Sequence, residues 1–328
     1  MKTVVTGGAG FIGSHLVKRL LDDGRDVLVA GDMSQTGTSN LDRLGIEVEC
    51  RHVDLRDYEQ TLNALDSTDT VFHLAARIGS LEYLHGSEMA EQAAFQTNFN
   101  IDTSVFRACL EKGVNRLIYT SSVAVYPMHR QYSPGATFAE TDLDLQSGAN
   151  PLYLDPDGGY GWAKLMGELV LNRTEGMAVG IARIFNVYGE NEPLDEKAHV
   201  VGDCIRKALL YPDVEFRVWG SGEQTRDFLH VSDCVEALLK IEEKASCPPL
   251  VLNIGSGKAT AIREVVERIV EISGNKIEPI WDESTPTGPV SRTADINKAR
   301  AVLNWQQEIS LDEGLRKTYY WIQRALSE

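Results

Sequence analysis

The chain has 328 residues, of which 43% are hydrophobic and 24% charged, and its formal net charge at pH 7 is −16. Length and composition are typical of a globular protein with one large or two ordinary domains, and the negative charge disfavours nucleic acid and anionic membranes as partners. The cysteines are scattered, the histidines lack metal-ligand spacing, no apolar stretch reaches ~18–20 residues, and the N-terminus leads directly into a strand-like run; together these features predict a cytoplasmic protein without a metal site, a membrane span or a signal peptide.

The predicted elements alternate between strands and helices through the first half of the chain. Short β-branched runs are typical of buried parallel strands, and they lie at residues 2–6, 26–31, 70–75, 116–122 and 177–189. Helical patterns lie between them, at residues 11–23, 88–112 and 160–173. This alternation predicts an α/β fold with a doubly wound parallel sheet and helices on both faces. After about residue 191 the elements become shorter and the loops longer.

The stretch TGGAGFIG at residues 6–13 joins the first predicted strand to the first predicted helix. Gly8, Gly10 and Gly13 satisfy GxGxxG, and Gly7, Gly10 and Gly13 satisfy GxxGxxG. In such a turn, glycines permit the tight bend, the approach of the backbone to a pyrophosphate and close helix–strand packing. The helix N-terminus adds partial positive charge. We therefore expect residues 1–185 to form a dinucleotide-binding Rossmann domain, and residues 186–328 mainly to bind the substrate, with some elements that return to the first domain.

Two aspartates follow predicted strands near this turn. Asp32 lies 19 residues beyond Gly13, where a carboxylate can accept the ribose hydroxyls of NAD and would repel the 2′-phosphate of NADP. Aspartates at strand ends are also common in ordinary turns. Asp54 follows the next strand and is a candidate either for the adenine amino group or for a helix cap.

Tyr160 and Lys164 stand four residues apart in YGWAK, which places both on one face of a predicted helix. A phenol has a pKa near ~10, but a nearby ammonium and an oxidised nicotinamide both favour the phenolate. Such a pair alone is common on helix surfaces, whereas beside a dinucleotide site it predicts a catalytic base. Ser121 and Ser122 follow the strand RLIYT at the sheet edge where ligands bind in such folds, so a hydroxyl there can bond a substrate oxygen.

These motifs belong to a longer series that runs in order along almost the whole chain. After TGGAGFIG come HVDL, HLAA, SSVAVY, YGWAK, RIFNVYG, QTRDF, LNIGSG and SRTAD. The series resembles the extended short-chain dehydrogenase/reductases that act on nucleotide sugars. The resemblance implies NAD as cofactor, a nucleotide-diphosphate sugar as substrate, a smaller and mostly C-terminal α/β substrate domain, and a homodimer formed through residues 88–112 and 160–174.

The resemblance also implies roles for individual residues. Tyr160 would be the catalytic base, Lys164 would hold the nicotinamide ribose, and Ser122 would bond the sugar hydroxyl. The residues implied to contact NAD are Gly7, Gly10, Phe11, Ile12, Asp32, Asp54, Leu55, Leu74, Ala75, Ala76, Asn98, Tyr160 and Lys164. The residues implied to contact the nucleotide sugar are Ser122, Asn186, Lys197, Arg226 and Arg292. The two arginines would clamp the phosphates, for which a guanidinium fork is suited.

Two positions depart from the family pattern. Most relatives carry the ribose-binding aspartate where Gly31 stands, so either Asp32 takes over or the cofactor choice is relaxed; since no arginine follows closely, we expect NAD. Relatives that dehydrate the sugar carry acidic residues just after the strand-end hydroxyl, where this chain has Val123 and Ala124. Dehydratase and decarboxylase activities are therefore disfavoured.

The C-terminal half resembles GDP-mannose 3,5-epimerases in WGSGEQTRDF, DEKAHVV and GLRKTYYWIQ. That family uses a cysteine and a lysine to invert the carbons beside the ketone. Lys197 matches the lysine, but Ala124 occupies the cysteine position, which removes one of the two proton carriers.

The leading hypothesis from the sequence is therefore an NAD-dependent epimerase of a nucleotide-diphosphate sugar that inverts C4 through a transient 4-keto intermediate. This reaction needs no acid or base beyond the tyrosine. The alternatives are a GDP-sugar 3,5-epimerase, a keto-sugar reductase or dehydrogenase of the same family, and a protein that only senses the dinucleotide.

Overall fold

The computed structural model describes residues 2–33, 39–79, 84–145, 154–195, 198–285 and 287–327. The strands are β1 Lys2–Thr6, β2 Asp26–Gly31, β3 Glu49–His52, β4 Thr70–His73, β5 Arg116–Ser122, β6 Thr137–Phe138, β7 Ala178–Ile184, β8 Asn186–Tyr188, β9 Arg217–Trp219, β10 Thr225–Arg226, β11 Phe228–His230, β12 Leu250–Ile254, β13 Thr260–Ala261, β14 Ile280–Asp282 and β15 Ser291–Ala294. The α-helices are α1 Phe11–Asp22, α2 Ser39–Arg43, α3 Tyr58–Ala64, α4 Glu88–Lys112, α5 Met128–Gln131, α6 Gly158–Leu171, α7 Val200–Leu210, α8 Val231–Lys244, α9 Ile262–Ser273, α10 Asn297–Leu303 and α11 Leu311–Ala325. Short 3₁₀ turns span Val123–Val125 and Glu140–Leu143.

The main sheet has seven parallel strands in the order β12-β7-β5-β4-β1-β2-β3. The predicted doubly wound parallel sheet is thus confirmed. The chain runs outward from β1 through β2 to β3 and then returns to β4 on the other side of β1. The carboxyl ends of β1 and β4 therefore diverge into connections on opposite sides, which is where open α/β sheets bind ligands.

The apolar strands are buried on both faces because helices cover both sides of the sheet. On one face, Leu16 and Leu20 of α1 pack with Leu238 of α8 in a single core cluster. On the other face, Phe106 of α4 and Leu171 of α6 belong to a second cluster. Each such side chain stabilises the fold by roughly 1.5–3 kcal/mol when fully buried. The two clusters therefore fix the helices against the sheet that carries the candidate site.

The second region forms around a small sheet with the order β13-β10-β15-β6. Helices α7, α9 and α11 pack together beside it in a core cluster of their own. The chain crosses between the two regions in both directions, since β12 pairs with β7 in the main sheet and β6 pairs with β15 in the small one. Strands β10 and β15 run parallel with Arg226 opposite Arg292.

The longest helix, α4, spans 25 residues with local signals at both ends. The Ser87 side chain accepts the Ala90 N–H at 3.1 Å, and Gly113 ends the helix in the left-handed conformation with φ 66°. Within the part of the chain that the structure describes, neither this helix nor another is long and apolar enough to cross a membrane.

Candidate functional site

The glycine turn lies against the loop that follows β4. Gly7 has φ +70°, and its N–H donates to Ala30 O at 3.0 Å. A Cβ at Gly7 would lie 2.8 Å from the backbone of Ala75, and one at Gly13 would lie 2.8 Å from Gly8 Cα, so both close approaches require glycine. Helix α1 begins after Gly10 without a side-chain cap. Its first N–H groups are therefore available to an anion, and the turn fits the pyrophosphate of a dinucleotide.

The two predicted strand-end aspartates lie at the ends of β2 and β3. Asp32 Oδ1 is 3.6 Å from His52 Nε2, and both side chains are exposed. Asp54 bonds Arg56 through both carboxylate oxygens, at 2.8 and 2.7 Å, which lowers the pKa of Asp54. The structure assigns the cap of α3 to Asp57, which accepts the Gln60 N–H at 3.1 Å. Of the two roles predicted for Asp54, helix capping is therefore ruled out.

The loop after β4 is held by main-chain and amide bonds. Leu74 N donates to Thr6 O at 3.1 Å, and Ala75 N to Thr6 Oγ1 at 3.4 Å, so this loop, which continues into Ala76, runs beside the glycine turn. Asn98 accepts the Arg77 N–H at 2.7 Å and donates to Arg77 O and Ala94 O at 3.0 and 2.9 Å. Its fully buried amide is thus occupied within the protein, and Asn98 shapes the loop through Arg77.

The remaining predicted cofactor residues lie at the start of α1 and just after β3. Phe11 and Ile12 form the first turn of α1 and pack, partly buried, against the core beneath it. Leu55 is buried just beyond β3.

Tyr160 and Lys164 lie on α6, and Ser122 ends β5. Both α6 side chains are almost fully buried. Burial raises the pKa of the Tyr160 phenol, and a hydrogen bond with Ser122 opposes this shift. Sequence reasoning expects Lys164 to lower that pKa, but in the protein alone burial prevails. The approach of α6 depends on Gly161, where a Cβ would lie 2.5 Å from Ala124 O.

Lys164 has an environment that sequence reasoning did not anticipate. Its Nζ is buried and makes no hydrogen bond to the residues the structure describes. The nitrogen lies 3.8 Å from Asp102 Oδ1 and 4.6 Å from the centroid of the Tyr119 ring. A signal for Asp102 did exist, because it stands four residues after Asn98 and three before Val105 on the buried stripe of α4.

The arginines predicted to clamp phosphates lie side by side on the small sheet. Arg226 is buried and donates to backbone carbonyls, including those of Thr225 and Pro289 at 2.8 Å. Burial, followed by repulsion from Arg292, lowers the pKa of the Arg226 guanidinium. Such a pair of adjacent cations favours an anion between them. Asn186 begins β8 and has a buried side-chain oxygen without a hydrogen-bond partner among the described residues.

Arg292 also connects the small sheet to the start of α6. Its guanidinium donates to the Gln131 side chain and to the carboxylate of Asp157, the residue before α6. On the other side, Glu91 of α4 accepts the Gly159 N–H and so caps the same helix from outside. Sequence reasoning missed these three partners because each comes from a distant segment. The predicted Lys197 lies outside the described residues.

The two positions that lack a proton carrier are buried, and one of them packs against Tyr160. Val123 and Ala124 form the turn after β5, and Ala124 packs in one apolar cluster with Tyr160 and Ala94. Val123 and Ala124 therefore add no second acid or base beside the Ser122 hydroxyl and the Tyr160 phenol.

Comparisons with known proteins agree with this geometry. A sequence model of the NAD dependent epimerase/dehydratase family matches residues 3–255. The chain is similar to GDP-mannose 3,5-epimerase of Arabidopsis thaliana, with 31% identity over 335 aligned residues that cover 100% of this chain and 84% of the relative. It is similar to a putative UDP-glucose 4-epimerase of Methanocaldococcus jannaschii, with 30% identity and 97% of both chains covered.

The chain is also similar to solved structures. The structure of UDP-glucose 4-epimerase from Thermotoga maritima with UDP-glucose superposes with a TM-score of 0.86 at 29% identity, and the match covers 99% of this chain and 100% of that one.

Proposed function

The chain belongs to the NAD dependent epimerase/dehydratase family, and we propose that within this family it is an epimerase that inverts C4 of a nucleotide-diphosphate sugar through a 4-keto intermediate. The observation that carries this proposal is the set of side chains at the end of β5 and on α6. Tyr160 is hydrogen-bonded to Ser122 and shares α6 with Lys164, whereas Val123 and Ala124 supply no further proton carrier at the two positions where related reactions need one.

The residues present fit the dinucleotide that the family uses. The bare turn of Gly7, Gly10 and Gly13 takes the pyrophosphate, and the unpartnered Nζ of Lys164 takes the nicotinamide ribose. Asp32 takes the adenosine ribose. Asp54, Leu55, Ala75 and Ala76 are proposed as further NAD contacts. When bound, NAD would supply the hydride acceptor for oxidation at C4 and the hydride donor for the reduction that restores the alcohol.

The protein's own part in the reaction is proton transfer and orientation. Ser122 bonds the C4 oxygen and places it against the Tyr160 phenol. Tyr160 acts as a phenolate, which the positive charge of an oxidised nicotinamide would favour; it takes the hydroxyl proton as the ketone forms and gives it back when the alcohol is restored. Arg226, Arg292 and Asn186 hold the diphosphate, and Lys197 is proposed as a further contact. A clamp on the diphosphate leaves the keto-sugar free to turn, which inversion requires.

One alternative has support from the comparisons. Similarity to GDP-mannose 3,5-epimerase and the matching Lys197 favour 3,5-epimerisation. That reaction needs a second proton carrier on the opposite face of the ring, and the buried methyl of Ala124 cannot supply one. A reductase or dehydrogenase is the other alternative, and it differs by releasing its cofactor after each turnover.

We also propose a homodimer built on α4 and α6, with a second copy of this chain as the occupant of their outer face. Leu110 and Val170 are exposed there, at the rim of a cavity of about 460 Å³ that Phe106 and Thr174 also line. Burying this apolar rim favours association. Leu110→Glu is expected to yield monomers in light scattering, while Tyr132→Glu, an exposed residue away from both helices, should leave the dimer intact. A monomeric wild-type protein would contradict the proposal.

The experiment for the reaction combines a substrate panel with one variant. The purified protein is incubated with UDP-, GDP-, CDP- and dTDP-sugars, and the products are analysed for the inverted carbon. Tyr160→Phe should lower turnover by about 10²–10⁴-fold, as expected for loss of a general base, while NAD remains bound.

Tyr320→Phe, an exposed position on α11, serves as the matched control and should keep full activity. Products inverted at C3 or C5, or a need for added NADH at each turnover, would overturn the C4 proposal.

A further inference from the structure

A buried carboxylate lies close to the Lys164 ammonium. Asp102 is 1% exposed and belongs to α4, whereas Lys164 belongs to α6. Its Oδ1 is 3.8 Å from Lys164 Nζ and 3.0 Å from His73 Nε2, and its Oδ2 accepts the Tyr119 hydroxyl at 2.5 Å. Since a buried ammonium is costly without an opposite charge, this placement calls for a role.

The other ionisable groups described around Asp102 and Lys164 do not balance the lysine charge, so Asp102 is the counter-charge of Lys164. Burial lowers the pKa of His73 on β4, so this ring is neutral, and burial raises the pKa of the Tyr119 phenol on β5 well above its usual value. In the protein alone, burial likewise raises the pKa of the Tyr160 phenol on α6. Glu168, one turn beyond Lys164, accepts bonds from Arg183 at 2.7 Å and from Ser121 at 2.5 Å, so its charge is already balanced.

The same carboxylate is tied to the glycine turn. His73 Nδ1 lies 2.6 Å from Thr6 Oγ1, and Thr6 directly precedes Gly7. A continuous buried chain therefore runs from Thr6 through His73 and Asp102 to Lys164. It joins the strand end beneath the pyrophosphate turn to the lysine proposed to hold the nicotinamide ribose.

We propose that Asp102 is a positioning residue that keeps Lys164 protonated and directed toward the cofactor. It touches neither substrate nor cofactor and acts only through the lysine. The inference rests on the proposed role of Lys164, but it does not depend on which sugar is converted. Burial lowers the pKa of Lys164, and the charge of Asp102 is the main influence that opposes this shift. Asp102→Asn keeps the shape of the side chain and removes the negative charge that opposes the lowering of the Lys164 pKa.

The first test measures unfolding, and it needs no substrate. Urea midpoints of wild type and Asp102→Asn are compared at pH 7 and pH 10. At pH 7 the variant buries an uncompensated ammonium, while at pH 10 its lysine has lost the proton. The gap between the two proteins should therefore be clearly larger at pH 7. Asp233→Asn is the control, because Asp233 is also a buried carboxylate and its hydrogen bonds to the described residues come from the N–H groups of Glu308 and Ile309 rather than from a lysine. The difference in urea midpoint between wild type and Asp233→Asn should be equal at pH 7 and pH 10.

A second comparison remains available if the single variant does not fold. The double variant Asp102→Asn with Lys164→Met removes both charges of this pair and should be at least as stable as either single variant. A double variant less stable than both, or a pH-independent gap for Asp102→Asn, would overturn the proposal.

The second test uses the NAD-loaded enzyme. In Asp102→Asn the alkaline limb of kcat/KM should move to lower pH by roughly one to three units, with KM for the sugar nearly unchanged. Asp102→Glu should restore most of the wild-type profile. An unshifted alkaline limb refutes the inference even where Tyr160→Phe is inactive, and a shifted one supports it whichever carbon is inverted.

Discussion

Gly13→Ala tests whether the first turn of α1 must lie directly on the glycine turn. A Cβ at this position would be 2.8 Å from Gly8 Cα and 2.9 Å from Gly7 C. Ordinary carbon–carbon contacts are about 3.5–4.0 Å, so the helix start would have to retreat by ~0.7–1 Å. The obstacles are backbone atoms, which cannot rotate away. Overpacking of this kind costs about 1–3 kcal/mol, and the better helix propensity of alanine offsets up to ~1 kcal/mol.

The effect on the cofactor should exceed the effect on folding. A retreat of this size removes at least one N–H from a charged phosphate, and such a bond contributes about 1.5–3 kcal/mol. We therefore expect NAD to bind roughly 10–100-fold more weakly, as measured by calorimetry and by the loss of NAD-dependent thermal stabilisation.

Gly202→Ala is the matched control, because Gly202 is also helical and its Cβ would meet the Glu192 side chain at 3.3 Å. It should leave NAD binding unchanged. Wild-type affinity in Gly13→Ala would refute the reasoning that close packing of the turn shapes the phosphate site.

Three further predictions concern the buried charges and the clamp. Glu168→Gln breaks the buried pair with Arg183 and should destabilise the fold by about 3–5 kcal/mol in urea titrations. Glu264→Gln, which breaks an exposed pair with Arg268, should cost less than about 1 kcal/mol. Equal losses of stability in the two variants would contradict the prediction. Burial raises the pKa of Glu192 to about 8. Between the usual carboxyl range and pH 8 the folded state therefore binds one more proton than the unfolded state, and the protein loses stability as pH rises through that window. Glu192→Gln should abolish this loss of stability, and an unchanged pH profile of unfolding would refute the prediction. Arg292→Lys should weaken binding of a UDP-sugar by roughly 10–100-fold without affecting NAD, and unchanged sugar affinity in calorimetry would remove Arg292 from the clamp.

The local signals of the sequence determined the fold class and the main elements of the first half. The strand runs at 26–31 and 116–122 and the helix at 88–112 match β2, β5 and α4 residue for residue. These elements can be predicted from the sequence because the hydrophobic period and the residue type depend on only a few neighbouring residues. The glycine spacing likewise predicts the turn, since the requirement for a bare backbone is local.

Contacts between distant segments were decided only by the tertiary structure. The small sheet pairs β6 with β15, which lie on opposite sides of the predicted domain boundary, and no local pattern encodes that register. The cap that Glu91 places on α6 and the bond from Arg292 to Asp157 also depend on how helices and sheets pack. Tyr160 and Lys164 were identified from their spacing, but the pKa of each depends on burial, and burial belongs to the folded chain. Asp102 is the clearest case: the sequence places a carboxylate on an apolar stripe, and only the packing of α4 against α6 brings it to the lysine.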